Sequence, residues 1–366
     1  MLAGLLALCS ALPGEPRIES ASFQTWFDAA LNGELRLPPS IEQRAERFRY
    51  VFVGGFANER MPGYFSQCAQ ELRTHGVAKS AIHFIFPSSH RSFDENCDGV
   101  KEAFLEIASH GPEPLVVIAH SRGAGDSLAF ALQNADFARD HVYALFLVQG
   151  AFGGTGAADY VLGEGPPMDR QMPMRLRVMT QLLGRAERYV LSRGKHDGLA
   201  GLTRDESAEF WEQIRHKYAS AIEIVGPKTF YITSQVPPKQ LRFFKKAVAT
   251  YLDTYYGPND GVVALEDQSL PGLGTTLVML DAAHTALTHR FPATHSPRRL
   301  RQALVESLLM AVGQADPAAE QEVAQSPRSA DPADTVGGAD PKRPRRDGNS
   351  GPVKEARRRR GRFPAD

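Results

Sequence analysis

Cysteine is scarce in this chain of 366 residues: Cys9, Cys68 and Cys97 stand alone and far apart. Three such thiols exclude a disulfide framework and a cysteine-rich metal cluster. Cys68 and Cys97 are read as buried free thiols, with a single bridge between them as the alternative if Cys9 leaves with a leader. No other grouping of His, Cys and acids has metal-ligand spacing, so neither a metal nor an organic cofactor is expected. Net charge is missing as well, because Lys plus Arg and Asp plus Glu both number 42. Whole-chain charge therefore gives no reason to hold nucleic acid, and no nucleic-acid partner is expected. Long apolar runs are absent too. Nothing beyond the first residues approaches the roughly 18 apolar positions that a bilayer-spanning helix needs, and there is no internal repeat.

What is present is enough apolar material, 42% of residues, to bury one large core with an appended region or two modest cores. The opening MLAGLLALCSALPGEP combines a short apolar run, small residues and Pro13. It reads as a signal or leader segment over residues 1–22, which implies a secreted or periplasmic protein. It lacks a basic start, Leu8 fits a lipoprotein cleavage site poorly, and a cytoplasmic location is the alternative. At the other end, Pro341 to Asp366 holds ten Lys or Arg against three acids. Residues 314–366 are poor in bulky apolar side chains and are read as a disordered basic tail whose partner is unknown.

Between these ends, residues 47–312 alternate strand-like and helical runs, the pattern of a mostly parallel sheet flanked by helices. Strands are expected in Arg49 to Ala57, Ile82 to Pro87, Pro114 to His120, His141 to Phe152, Lys228 to Gln235 and Thr275 to Ala282. Helices are expected around Tyr64 to His75, Asp98 to His110, after Ser121, over Met174 to Arg193 and Asp205 to Ala219, and over Arg298 to Val312. The pattern loosens across residues 153–225. A lid over an active site is the reading of that insertion, with a plain helical excursion as the alternative.

The chemistry is carried by VVIAHSRGAG, Val116 to Gly125. A serine hydroxyl is a weak nucleophile unless a base takes its proton and the chain holds it against a carbonyl carbon. A sharp strand-to-helix turn does that holding, and it demands small residues two positions either side of the serine. Ala119-His120-Ser121-Arg122-Gly123 meets the demand, so Ser121 is the candidate nucleophile. The negative oxygen formed on attack needs backbone donors. Arg122 N–H follows the nucleophile, and Phe56 N–H, after the Gly54-Gly55 pair that ends the first core strand, is the second candidate. An acid and then a histidine should follow on later loops. Asp260 lies in the Pro-Asn-Asp-Gly turn of YYGPNDGVVAL, and His284 comes 24 residues on, after the next strand. Asp267 and Asp281 compete as the acid, and His289 and His295 as the base.

These residues resemble the α/β-hydrolase fold, and more narrowly its bacterial lipase and esterase branch. AHSRG is similar to the elbow of those lipases that begins with alanine, GPNDGVV and the later AHT to their acid and histidine loops, and Asp197 to Phe210 to a Leu-Thr stretch that precedes the acid. Gly54-Gly55 stands where the family commonly has His-Gly. The resemblance implies a carboxylic-ester hydrolase acting on a small-molecule or lipid ester, with transient contact with a membrane or lipid surface. Some relatives bind calcium, but no ligand set matches here residue by residue. The same apparatus serves thioesterases, acyltransferases and peptidases, and a relative without turnover serves as a binding protein.

Overall fold

Both faces of the central strands are apolar, and that composition dictates a sheet buried between two helical layers. The computed structural model describes residues 16, 18–167, 197–241, 243–288 and 297–314. In chain order the elements are α1 (Ser20–Asn32), α2 (Pro39–Ala45), β1 (Arg49–Val53), α3 (Ser66–Thr74), β2 (Ile82–Ile85), α4 (Phe93–Ser109), β3 (Leu115–His120) and α5 (Arg122–Gln133). There follow α6 (Ala135–His141), β4 (Val142–Val148), α7 (Gly156–Leu162), α8 (Asp197–Ala200), α9 (Arg204–Lys217), α10 (Ile222–Val225), β5 (Thr229–Gln235), α11 (Phe243–Tyr255), β6 (Thr275–Asp281) and α12 (Pro297–Gln314). The six strands pair in the order β2-β1-β3-β4-β5-β6, every pair parallel.

Residues alternate between the two faces with period two. Val116 and Ile118 of β3, Tyr50 and Phe52 of β1 and Phe146 of β4 join a core with Phe23 and Phe27 of α1, Leu72 of α3 and Leu304 and Leu308 of α12. Val117 and Ala119, Val51 and Val53, and Leu145 and Leu147 face the other way, onto Val100 and Phe104 of α4, Leu128 and Phe130 of α5 and Trp211 of α9. Each large side chain so removed from water contributes on the order of 1.5–3 kcal/mol.

All six expected strands form, each trimmed to the residues that pair. The helix expected over Asp98 to His110 starts earlier, at Phe93. There Ser92 Oγ accepts from Glu95 N–H at 3.3 Å, and the Glu95 carboxylate accepts from Ser92 N–H at 3.0 Å. That capping box satisfies donors that would otherwise be orphaned. Two helices lie upstream of residue 47. α1 packs on α12 and β6, with Ser20 Oγ donating to Thr276 O at 2.7 Å, and α2 packs on α12. The packed unit thus begins before the expected boundary and takes in residues 20–22 of the stretch read as a leader. α7 and α11 also went unread in the sequence.

Residues 168–196, which hold the helix expected at Met174 to Arg193, and all of the tail beyond Gln314 lie outside the described residues. Cys68 and Cys97 are both buried free thiols, and burial pushes each up to about 12. No helix among the described residues is long and apolar enough to cross a membrane.

Candidate active site

The turn between β3 and α5 holds Ser121 at φ 56°, ψ −128°. A residue with a Cβ reaches positive φ only at a cost, which surrounding structure must impose. Here neighbouring backbones impose it. A Cβ on Gly123 would lie 2.3 Å from Gly54 O, and one on Gly55 would lie 2.8 Å from Ser121 Cβ. β1 and the elbow therefore meet through glycine on both sides. That contact is the steric reason for Gly123 two positions after the serine and for Gly55 at the strand end.

Ser121 Oγ lies 2.8 Å from His284 Nε2, and His284 Nδ1 lies 2.8 Å from Asp260 Oδ2. The three side chains, far apart in the chain, form one hydrogen-bonded row. Ser121 is 8% exposed, His284 6% and Asp260 1%, so solvent reaches the row at its serine end.

Local chemistry builds the acid loop. Asn259 Oδ1 accepts from Gly261 N–H at 2.9 Å, and its amide donates to Ala249 O of α11 at 3.1 Å. Gly261 takes φ 95°. The turn thereby aims Val262 and Val263 N–H at Asp260 Oδ1, at 3.0 and 2.8 Å. One carboxylate oxygen is held by backbone, which leaves Oδ2 for the imidazole. The histidine loop is tied to the acid loop directly, since His284 N–H donates to Asp260 O at 2.9 Å. Arg301 of α12 braces it from beneath by donating to Ala286 O at 2.9 Å.

The loop after β1 is pinned on both sides of Phe56. Asn58 Nδ2 donates to Gly55 O at 2.9 Å and Pro87 O at 2.7 Å, Tyr64 Oη accepts from Gly55 N–H at 3.2 Å, and Ser89 Oγ accepts from Ala57 N–H at 2.6 Å. Phe56 N–H, between them, has no hydrogen-bond partner among the described residues. As the first residue of α5, Arg122 N–H has no intrahelical acceptor either. Its side chain is occupied elsewhere: the guanidinium donates to Gly198 O at 3.0 Å and to Arg91 O, and lies 5.0 Å from the Phe93 ring centre.

The competing acids lie apart from the imidazole. Asp267 is buried against Arg204, and burial pushes its carboxyl up to about 7. Asp281 is exposed at the end of β6. His289 and His295 lie outside the described residues.

Sequence reasoning missed the polar layer beneath the elbow. His120, 1% exposed, contacts Tyr64 Oη through Nδ1 at 2.6 Å, and His284 O at 2.7 Å and Gln149 Oε1 at 3.2 Å through Nε2. Burial drives its imidazole well below the usual histidine range. The readable signal was a histidine at a buried strand position, where a polar side chain must find partners.

No family model matches this chain, and no curated protein matches it. Solved structures do resemble it, two of them as follows. One is a metagenomic carboxyl esterase, 18% identical, matched over 72% of this chain and 76% of that one with a TM-score of 0.51. The other is the mature form of a Bacillus licheniformis lipase, 18% identical, matched over 73% and 92% with a TM-score of 0.50. At such identity the likeness speaks for the fold alone, and with the parallel sheet order that fold is the α/β-hydrolase fold.

Proposed function

We propose that this protein is a serine hydrolase of carboxylic esters, of the lipase and esterase kind. The observation that carries the reading is the row Ser121 Oγ, His284 Nε2, His284 Nδ1, Asp260 Oδ2, closed at 2.8 Å on both links beside two uncommitted backbone N–H groups. His284 Nε2 takes the Ser121 proton as Oγ attacks the ester carbonyl. Asp260 accepts from Nδ1–H, which fixes the tautomer with a lone pair on Nε2 and stabilises the imidazolium. The negative oxygen of the tetrahedral adduct is received by Arg122 and Phe56 N–H, donors already oriented before the charge develops. Collapse expels the alcohol, which takes its proton from His284 Nε2 and leaves an acyl-Ser121. Water then attacks that acyl group, with Nε2 accepting its proton and returning one to Ser121.

An apolar acyl group suits the surroundings. Half-buried Phe56 and Val262, which adjoin an oxyanion donor and the acid, pack with half-buried Tyr160 and Leu162 on an apolar cluster that includes Phe93, Val161 and Leu199. Burying a hydrocarbon chain there gains about 0.8 kcal/mol per methylene. The esterase and lipase that share the fold lend further support to the ester over other acyl substrates.

The test is hydrolysis of p-nitrophenyl esters of increasing acyl length by wild type and Ser121→Ala. Turnover is expected in wild type and is expected to fall by about 10⁴-fold or more in the variant. Equal turnover in the two would refute the nucleophile. Preferential cleavage of acyl thioesters over matched oxygen esters would favour a thioesterase.

A further inference from the structure

We propose that His120 is a positioning residue, the centre of a one-way hydrogen-bond chain that sets the oxyanion loop and the catalytic histidine loop relative to each other. The inference rests on the reading of Ser121, His284 and Asp260 as a triad, and goes beyond it. The direction of the chain follows from which atoms can only accept. His284 O is a carbonyl, so the 2.7 Å contact requires the proton on His120 Nε2. His120 is neutral, its imidazole driven well below the usual range chiefly by burial. Nδ1 is therefore an acceptor, and the Tyr64 hydroxyl 2.6 Å away donates into it. The lone pair of that hydroxyl in turn accepts from Gly55 N–H at 3.2 Å. The whole runs Gly55 N–H to Tyr64 O–H to His120 Nδ1, then His120 Nε2–H to His284 C=O.

The ends of this chain give it its function. Gly55 immediately precedes Phe56, whose N–H is the oxyanion donor contributed by the loop after β1. His284 is the base itself, held by its own carbonyl. The His120 and His284 rings also pack at 4.7 Å between centroids. His120 is chain neighbour to Ser121, its ring meets the base His284 directly, and it reaches the oxyanion loop through the Tyr64 hydroxyl.

A second observation points the same way. Gln149, fully buried at the end of β4, adopts φ 49°. That left-handed conformation is costly for glutamine, and here it accompanies a side chain lying between His120 Nε2 and Ser234. Ser234 N–H donates to Gln268 Oε1 at 2.7 Å, and Gln268 Nε2 donates to Val263 O at 3.3 Å, in the acid loop. The polar layer thus links the loops that carry every group assigned to the reaction.

The experiment uses the full chain with Tyr64→Phe, His120→Asn, His120→Gln and the double variant Tyr64→Phe with His120→Asn. Rates are taken per active site titrated with a fluorophosphonate, with a melting curve for each protein. Asparagine keeps a polar atom near the Nδ1 position but cannot reach His284 O, whereas glutamine can place its amide near the Nε2 position. Small displacements of reacting groups cost up to about 100-fold, so kcat is expected to fall about 10- to 100-fold in Tyr64→Phe and His120→Asn, with KM changed less than about threefold. His120→Gln should recover part of the loss. The double variant should lose no more than its worse single parent, because both substitutions cut one chain. A kcat per site within about threefold of wild type in both singles, with only the melting temperature altered, overturns the proposal and reduces His120 to packing. So does a double variant in which the two losses multiply. Should His120→Asn fail to fold, Tyr64→Phe, which removes one hydroxyl, decides the outcome alone. An active Ser121→Ala protein would instead overturn the triad, so the two failures are distinguishable.

Discussion

Asp260→Asn isolates the electrostatic and tautomeric part of the proposed mechanism. Asp260 Oδ1 accepts two backbone N–H groups, from Val262 at 3.0 Å and Val263 at 2.8 Å, and both are fixed by the turn. An asparagine in the same rotamer must present its carbonyl oxygen there, because its amide would face two donors with a third. The amide then occupies the Oδ2 position, 2.8 Å from His284 Nδ1. Two N–H groups cannot bond, so the imidazole shifts its proton to Nε2. That nitrogen then points a hydrogen at Ser121 Oγ where a lone pair is needed. In the serine proteases this exchange of tautomer costs about 10⁴-fold in kcat, or about 5.4 kcal/mol at 1.36 kcal/mol per decade. The same loss is expected here, since the contacts are the same in kind. The assay is p-nitrophenyl butyrate hydrolysis at pH 8, with circular dichroism to establish folding. A folded Asp260→Asn protein retaining more than about a tenth of wild-type kcat would refute the assignment of Asp260.

Three further outcomes are expected. Gly123→Ala would drive a Cβ to 2.3 Å from Gly54 O, a backbone atom that cannot rotate away. The elbow must open, with loss of ester turnover and a destabilisation of about 1–3 kcal/mol in chemical denaturation; an active, equally stable variant would show that the elbow yields. His75, at the end of α3, faces the carboxylates of Glu306, Glu71 and Glu42, which raise it from 6.5 to about 10. The folded state then holds a proton that the unfolded chain releases, so this contribution is complete below pH 6.5 and fades as pH rises toward 10. Screening reduces the full linkage value to about 1–2 kcal/mol, and denaturation midpoints of wild type should fall across that window while those of His75→Gln stay flatter. Arg204→Met should leave Asp267 buried without its cation and cost about 3 kcal/mol at pH 8, less at pH 5, where the carboxyl, raised to about 7, is protonated; equal costs at the two pH values would contradict this account.

The parts of the molecule that were legible share one physical property: their signal is local. Strands such as LVVIAH and VYALFLV are apolar on both faces, and only a sheet covered twice needs that. The elbow was legible because sterics confine it to five consecutive residues. Asp260 reads as the acid because a strand separates it from His284, while its turn, which turn chemistry alone would explain, also holds the carboxylate through Val262 and Val263 N–H. What escaped was decided by distant partners. α1 bears Phe23 and Phe27 at helical spacing, but it follows an apolar opening that drew the eye to a leader, and its role rests on contacts with β6 and α12. α11, with FFKKAVATYLDTY, carries apolar and basic residues in a mixture that declares itself only beside the acid loop. His120 and Gln149 come from the ends of β3 and β4, and Tyr64 from the turn before α3. No spacing in the chain announces a network whose members are joined only by the fold.

The central claim is that Ser121 Oγ is the attacking atom. The most direct measurement treats the folded protein with a fluorophosphonate, digests it, and maps the adduct by mass spectrometry, alongside His284→Ala and Asp260→Asn. The account predicts one stoichiometric adduct on the peptide bearing Ser121, formed in parallel with the loss of ester turnover and slowed by about 10³-fold or more when His284 is removed. An adduct on another residue, or labelling of Ser121 at an undiminished rate without His284, would contradict it.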